Sequence, residues 1–558
     1  MEVRVLVHDA VIIGGGLAGM RAAIEAGKEA DVALLSKVHP LRAHSNAAQG
    51  GIACVLEKDD LLESHIYDTV KGSDFLGDQD AIEILCSEAP ENIQELDRMG
   101  VIFSRMDDGS IAQREFGGHS FPRACYAADR TGHAILHAMY EQLLKNRITV
   151  YPEWYVLSLI MNDGACCGIT AHDIGKGETH IIRAKAVMFA TGGYGTAYET
   201  TTNAFANTGD GCGIASRAGV PLMDMEFVQF HPTGLYPRGL LITEGARGEG
   251  GILINDKGER FMKRYANAME LAPRDVVVRA MQKEMDEGRG IGGANYLYLD
   301  LTHIGREKIM ERLPQIHEIA LNFAGVDCAE EPIPVTPSVH YSMGGIPVNH
   351  SGEVEGIKGL FAAGECSCVS VHGANRLGCN SLLEAVVFGR RAGRELSRYV
   401  RKAKLGSLPE TDGSKEIENI LDSDGNEKVP DLRETLRKVM MEKCGIFRDR
   451  KGLQEGLKAV KELQKRFENI YISDKGRVFN TAFIEAAELH NLLTISEIIV
   501  HSALVREESR GSHTRTDYPE RDDARWLKHT LAHRTGDGLS FSYRPVTITR
   551  FHPEKRKY

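Results

Sequence analysis

Val11-Ile-Ile-Gly14-Gly15-Gly16-Leu-Ala-Gly19 decides how the chain is read. The β-branched run Val5–Ile13 predicts a buried parallel strand, apolar on both faces, and the stretch from Gly16 to about Glu29 predicts a helix. Val32–Leu35 supplies a second short apolar strand, which completes a β-α-β unit. In that setting the G-x-G-x-x-G spacing has a mechanism. Backbone N–H groups and the helix N-terminus face a pyrophosphate, and Gly19 lets the helix pack close. The bare pattern is weak, but its place between strand and helix makes it a dinucleotide-binding loop rather than a tight structural turn. The second strand ends Leu34-Leu35-Ser36-Lys37, without the acidic residue that usually holds a ribose. Ser36 can bond a ribose hydroxyl, so the departure counts against NAD more than against FAD.

Further along, Ala186–Ala190 reads as a third strand and ends in Ala190-Thr191-Gly192-Gly193, which suits a backbone passing close to the same nucleotide. Asn207-Thr-Gly209-Asp210-Gly211 and Gly364-Glu365 add carboxylates for ribose or diphosphate-side groups. Each of these taken singly reads equally well as a loop turn. Together they bring glycine-rich loops from distant sequence to one nucleotide, the pattern of a flavoprotein.

The chain has 558 residues, 42% of them hydrophobic, with a net charge of −11. It can bury a large core, and the acidic balance excludes a general nucleic-acid binder. No apolar run is long enough to span a bilayer, and the opening residues run straight into a strand with no room for a signal peptide. A cytosolic, multidomain α/β protein is expected. Eleven cysteines without any Cys-x-x-Cys give no zinc or iron–sulfur spacing, so electrons leaving through such clusters need another subunit.

Texture changes divide the chain. A first segment of a Rossmann-like nucleotide-binding domain is expected over 1–225, an inserted α+β capping domain over 226–338, with helices near 274–287 and 305–322, and the second segment over 339–405, where Gly359–Gly364 returns to the strand-and-glycine style. A polar linker at 406–430 and three helical patterns follow within 406–511. The longest runs over about 480–509 with Gly511 as its C-cap, and a small domain over 512–558 is strand-like at Pro545–Phe551. The basic Lys555-Arg556-Lys557 reads as a solvated tail or a contact with a partner subunit rather than a membrane-surface motif.

Seven further stretches carry a resemblance. They are Arg42-Ala-His44-Ser-Asn-Ala-Ala-Gln49-Gly50-Gly51, His231-Pro-Thr233, Thr243-Glu244-Gly-Ala-Arg247-Gly-Glu249-Gly250-Gly251, Ala272-Pro273-Arg274-Asp275, His340-Tyr-Ser-Met-Gly344-Gly345, His372-Gly-Ala-Asn375-Arg376-Leu-Gly-Cys-Asn380-Ser381-Leu382 and Asp517-Tyr-Pro-Glu-Arg521-Asp522-Asp523. In order and over essentially the whole chain they resemble the flavoprotein subunit of succinate dehydrogenase and fumarate reductase. The resemblance implies FAD bonded covalently through the His44 imidazole to the flavin 8α-methyl carbon. Gly14, Gly16, Gly19, Ser36, Lys37, Ser45, Gly50, Gly51, Asp210, Glu365, Ser381 and Leu382 would surround the cofactor.

Removing two hydrogens from a CH₂–CH₂ unit needs a stronger oxidant than nicotinamide, and a flavin of raised potential suits it. The dicarboxylate must also be clamped, for which arginine is the natural bidentate partner. By resemblance His231, Thr243, His340 and Arg376 hold the carboxylates, while Arg274 exchanges the proton, relayed to solvent through Glu244 and Arg247. Arginine is intrinsically a poor base, so this role needs a closed, dry site. Glu244 and Arg247, three apart on a helical turn, can face one path; a purely structural ion-pair network is the competing reading.

The expected enzyme oxidises succinate to fumarate within electron transport and the tricarboxylic acid cycle. Its expected partners are an iron–sulfur subunit and membrane anchor subunits, which would hold it at the inner face of the cell membrane. Fumarate reductase, quinol- or thiol-linked, runs the same chemistry backwards; Gln49 leans towards the dehydrogenase. L-Aspartate oxidase and a non-catalytic flavin-binding assembly subunit are the remaining rivals. His44 counts against the first and the Arg274/Glu244/Arg247 set against the second.

Overall fold

The computed structural model describes residues 4–408, 414–536 and 538–557. Its main sheet is built on strand β1 (Arg4–Ile13), flanked in parallel by β2 (Val32–Ser36) and β3 (Glu178–Phe189). Thr149–Pro152 continues the parallel run beyond β2. The far flank of β3 is shared between two neighbours. Its first half pairs antiparallel with Ala165–Asp173, and its last residues, Val187–Phe189, pair in parallel with Leu360–Ala362. Residues after the long insertion therefore return to the sheet from which it departs.

Helix α1 (Leu17–Ala26) follows the glycine loop and stops at Gly27, short of the expected Glu29. Gly14 adopts a φ of +119°, and a Cβ there would lie 2.1 Å from the Ala190 carbonyl oxygen. The turn thus runs tight against the end of β3, which only glycine allows. The burial expected along all of Val5–Ile13 holds only from Ala10 onward, since Val5 and Val7 are each 51% exposed. The first half of β1 is flanked by β3 alone, whereas Ala10–Ile13 also has β2 beside it.

A second, five-stranded antiparallel sheet is built on β4 (Val228–Leu235) and β5 (Ile333–Ser342). It has its own apolar core, including Leu253, Phe261, Met281, Leu299 and Ile316, separate from the core of the main sheet. Two short elements on this body matter for the site: α2 (Glu244–Gly248) and α3 (Arg274–Glu284). The helix expected over 305–322 is two, Arg306–Arg312 and Pro314–Ala324. Pro314 cannot donate an N–H into a preceding turn and starts a new helix instead.

Helix α4 (Asn380–Lys402) packs on α1, and the longer helices after it are Val429–Lys443, Arg450–Phe467 and α5 (Thr481–Val505). Three expectations are corrected here. The stretch 406–430 is not wholly linker, because Ser414–Leu421 is a helix with Ile417, Ile420 and Leu421 buried; residues 409–413 lie outside the described ones. Helix α5 is capped at Arg506, not Gly511, because the Arg506 guanidinium is drawn into a buried cluster with Glu226 and Glu508. Pro545–Phe551 is not a strand. The pairing lies before it, between Lys528–Thr535 and Gly538–Pro545, and the backbone of residues 547–551 instead bonds the Asp78 and Gln79 side chains. Among the described residues no helix is long and apolar enough to cross a membrane.

A Cβ on Gly19 would stand 1.9 Å from the Gly14 carbonyl oxygen. Gly19→Ala is therefore expected to lower stability by about 1–3 kcal/mol and to reduce dinucleotide content, read by thermal unfolding and by absorbance of the purified protein.

Candidate active site

One long cleft runs from the glycine loop to the five-stranded body. At one end it is lined by Gly14–Gly16, Ser36, Lys37 and Trp154–Val156, at the other by His231, Thr243, Glu244, Arg274, His340 and Arg376, with His44–Ser45 and Gln49–Gly51 between. Asp210, Glu365, Ser381 and Leu382 line it as well. Of the residues expected at the site, Gly19 and Arg247 alone stand behind the lining: Gly19 inside α1, Arg247 behind Glu244.

At the nucleotide end, the Lys37 ammonium is committed to protein. It reaches Asp210 at 2.7 Å, Glu488 on α5 at 2.8 Å and the Thr208 hydroxyl at 2.7 Å. Burial disfavours its charge, but Asp210 and Glu488 hold it raised above the ordinary lysine pKa. Asp210 also accepts from Tyr155 and Asn491, so this carboxylate anchors Lys37 to three elements. Glu365 has no ion-pair partner among the described residues, with Arg376 acting on it only at longer range. One oxygen accepts from Ser342 N–H at 3.0 Å, and burial pushes the carboxyl up to about 7. That chemistry fits an acceptor for a ligand hydroxyl. The glycine turn, the Ser36 hydroxyl packed against Gly15 and this acceptor fit a bound dinucleotide. Ser45 plays an added part, accepting the Leu17 N–H at 3.2 Å at the start of α1.

At the middle, the Ala204 N–H donates to His44 Nδ1 at 3.2 Å, which leaves Nε2 for another bond. Burial lowers the His44 pKa to about 4, so the imidazole is neutral and nucleophilic at ordinary pH. Gln49 donates to the Leu241 carbonyl, and its own carbonyl oxygen is buried without a partner.

At the far end, the strands β4 and β5 bring His231 and His340 together, ring centroids 4.9 Å apart. Thr233 N–H donates to His231 Nδ1 and the Thr202 hydroxyl meets His340 Nδ1 at 2.7 Å, which fixes both rings. Burial, with Arg274 next, pushes both pKa values well below 6.5, so both are neutral. Arg376 lies over the Tyr341 ring at 4.8 Å and donates to Ser381; burial, with Arg274 next, lowers its pKa to about 9. Thr243 caps α2, its hydroxyl accepting the Gly245 N–H.

Glu244 is the buried hub. It accepts from Arg274 Nε at 2.6 Å and from the Gly117 N–H at 2.7 Å, with Arg247 at 3.4 Å one turn along α2. Burial alone would raise its pKa, but Arg274 and Arg247 hold it lowered and ionised. Arg247 donates to the Glu270 carbonyl, while its Nε and Nη2 have no hydrogen-bond partner, a setting for water. Gln229 was missed by sequence reading. Its amide accepts from Arg274 Nη1 at 3.1 Å and donates to Asn375 and to the Arg376 carbonyl, so it spaces the two arginines. The available signal was a lone amide between the apolar Phe227-Val228 and Phe230.

Lys37→Met leaves Asp210 and Glu488 facing each other without their shared cation. It is expected to lower stability by about 3 kcal/mol and deplete bound dinucleotide, with part of the loss restored in Lys37→Met/Asp210→Asn, read by thermal unfolding.

Comparison with known proteins places the whole chain beside related proteins. Residues 9–382 match the FAD binding domain family and 433–558 the fumarate reductase flavoprotein C-terminal family. The succinate dehydrogenase flavoprotein subunit of Rickettsia conorii is 48% identical, covering 98% of this chain and 96% of that protein. The fumarate reductase flavoprotein subunit of Mycobacterium tuberculosis is 42% identical over 99% of both. A solved structure of a mutant FrdA from E. coli quinol fumarate reductase superposes with a TM-score of 0.95 at 41% identity, covering 99% of each chain.

Proposed function

The chain belongs to the family of succinate dehydrogenase and fumarate reductase flavoprotein subunits, FAD-dependent oxidoreductases, and from that premise we propose that it oxidises succinate to fumarate. The observation that carries this reading is the contiguous Arg274–Glu244–Arg247 set opening on the same cleft as His231, His340 and Arg376. When bound, FAD supplies the hydride acceptor for one substrate carbon. The residues do the rest. Arg376 meets a carboxylate with a full charge, and the two neutral histidines donate to its partner without repelling Arg376. Thr243, at the N-terminus of α2, adds a hydroxyl to the same clamp.

Arg274, held by Glu244 and Gln229, acts as the neutral guanidine after giving one proton to the Glu244 carboxylate and on towards Arg247; it then takes the proton from the neighbouring carbon and returns to the guanidinium. Arg247, whose Nε has no hydrogen-bond partner, hands the relayed proton on through water. The same atoms run in reverse for fumarate reduction, the second reading. Gln49 supports the oxidative direction, because an uncharged side chain in the middle of the cleft does not raise the electron density that a carboxylate there would impose.

His44, neutral and bonded only through Nδ1 to the Ala204 N–H, is proposed to carry the flavin covalently through Nε2. The electrons then pass to an iron–sulfur subunit of a quinone-linked complex. Membrane anchor subunits would hold the assembly peripherally on the inner face of the cell membrane. Names of relatives such as quinol fumarate reductase support this assignment. The segments 1–225 with 339–405, the cap 226–338, the helical 406–511 and the small 512–558 are proposed as its domains.

Arg274→Ala is expected to lower succinate turnover by about 10³-fold while acid-denatured protein still retains yellow flavin, and His44→Ser to release that flavin. Near-normal turnover in Arg274→Ala would sink the proton assignment. Arg376 gives a second expectation. Its charge is present below pH 9 and is lost above it, so kcat/KM for succinate should fall as pH rises through about 9. A pH–rate profile checks this, since kcat/KM reports the free enzyme.

A further inference from the structure

Residues 546–557 do not float free. The segment runs along the start of the helix Gln79–Arg98, where Gln79 donates to the Phe551 carbonyl at 2.6 Å and accepts the Phe551 N–H at 2.9 Å. Tyr67 packs edge-on against Phe551 and its hydroxyl bonds Glu554, while Arg521 donates to the Glu554 carbonyl. The path ends with Arg556 between two buried carboxylates. Its Nη2 is 3.0 Å from Asp74 and 2.6 Å from Asp275. The expected solvated or partner-bound tail is thus corrected at this position.

The two carboxylates belong to different bodies. Asp74 lies in the turn after helix Leu62–Gly72 on the nucleotide-binding side, pinned by Arg521 at 2.9 Å and the Gly511 N–H at 2.8 Å. Asp275 is the second residue of α3, on the body with its own separate core, and directly follows Arg274. It is also paired with Arg279, which in turn donates to the Gly511 carbonyl. Burial would raise the Asp275 pKa, yet Arg556 and Arg279 hold it at about 2.

Without Arg556, Asp74 keeps Arg521 and Asp275 keeps Arg279, but the two buried anions then share no cation across the contact between the bodies, and their mutual repulsion is left uncompensated there. The one guanidinium shared by both makes that contact attractive, at the first turn of the helix that begins with Arg274. We propose that Arg556 is a latch: by bridging Asp74 and Asp275 it holds the N-terminus of α3 on the nucleotide-binding body and so positions Arg274. Arg556 touches no reacting atom; it is a positioning residue. The inference rests on the proton role of Arg274 only for its kinetic arm.

The test uses the flavin-loaded enzyme with Arg556→Gln, Arg556→Lys and Arg556→Gln/Asp275→Asn, read by hydrogen–deuterium exchange and steady-state kinetics. Arg556→Gln is expected to raise exchange severalfold in residues 274–280 and lower kcat about tenfold, with KM for succinate changed far less. Arg556→Lys should restore most of both. The double variant, which removes the repulsion together with the cation, should recover more turnover than the single one. Unchanged exchange at 274–280 in Arg556→Gln overturns the latch. Raised exchange with unchanged kcat overturns the positioning of Arg274. Arg274→Ala measured alongside separates the two readings: if it keeps turnover, the proton role fails, while the exchange arm still decides the latch.

Discussion

The Glu244 carboxylate collects an arginine from α3, an arginine from its own short helix and a backbone N–H from the Gly117 loop, all in a buried setting. Such a carboxylate cannot lose one partner cheaply, because the remaining charges stay desolvated. Three segments with no common secondary structure are therefore held in a fixed relation by one anion. Arg376, which lines the cleft with His231 and His340, inherits that relation through Gln229, which bonds both Arg274 and the Arg376 carbonyl. The precision of the site comes from this polar scaffold, while the apolar cores of the two sheets set only its approximate frame.

The same logic extends beyond the cleft. Arg448, Arg506, Arg510 and Arg515 are among the largest fully buried side chains. Arg506 alone meets Glu226, Glu508, two backbone carbonyls and the Thr530 hydroxyl. His529 is wedged between Asp224 at 2.7 Å and Asp78 at 3.2 Å, and although burial opposes its charge the two carboxylates raise its pKa to about 9. The region after α5 is thus held to the rest of the chain by buried charge as well as by a small apolar cluster that includes Leu76, Phe227, Met343, Ala374 and Val546, and charge carries much of the contact. Chain geometry explains the choice. The segments there are short and irregular, and guanidinium groups can satisfy the many backbone carbonyls that such segments leave open.

Much of the architecture was legible because it is written in local signals. The G-x-G-x-x-G turn is set by the steric demand at Gly14 and Gly19. The arginine and histidine motifs could be placed by resemblance, and the structure brings them to one cleft. What escaped the sequence was pairing at long range. Nothing near Lys37 announces that its ammonium will be shared with Glu488 on α5, or that Asp210 will serve that cation. Gly511 looked like a helix cap because a C-cap glycine is a local rule, yet Arg506 ends the helix by pulling its guanidinium into a cluster assembled from other segments. Arg556 looked solvated for the same reason, since its partners Asp74 and Asp275 lie hundreds of residues upstream.

The shared edge of β3 has a consequence for how the protein is made. Val187 leaves the ribosome long before Leu360, its partner in the sheet; the cleft wall at His340 lies on the last strand of the inserted body, and those at Glu365 and Arg376 come later still. The nucleotide pocket therefore cannot close on the nascent chain until well over half of it has emerged. In the interval the exposed edge of β3 and the uncovered apolar face of α1 are open to mispairing. Acquisition of the flavin becomes a late event in biogenesis, and the inserted body, with its own core, is free to fold while the older part of the sheet waits.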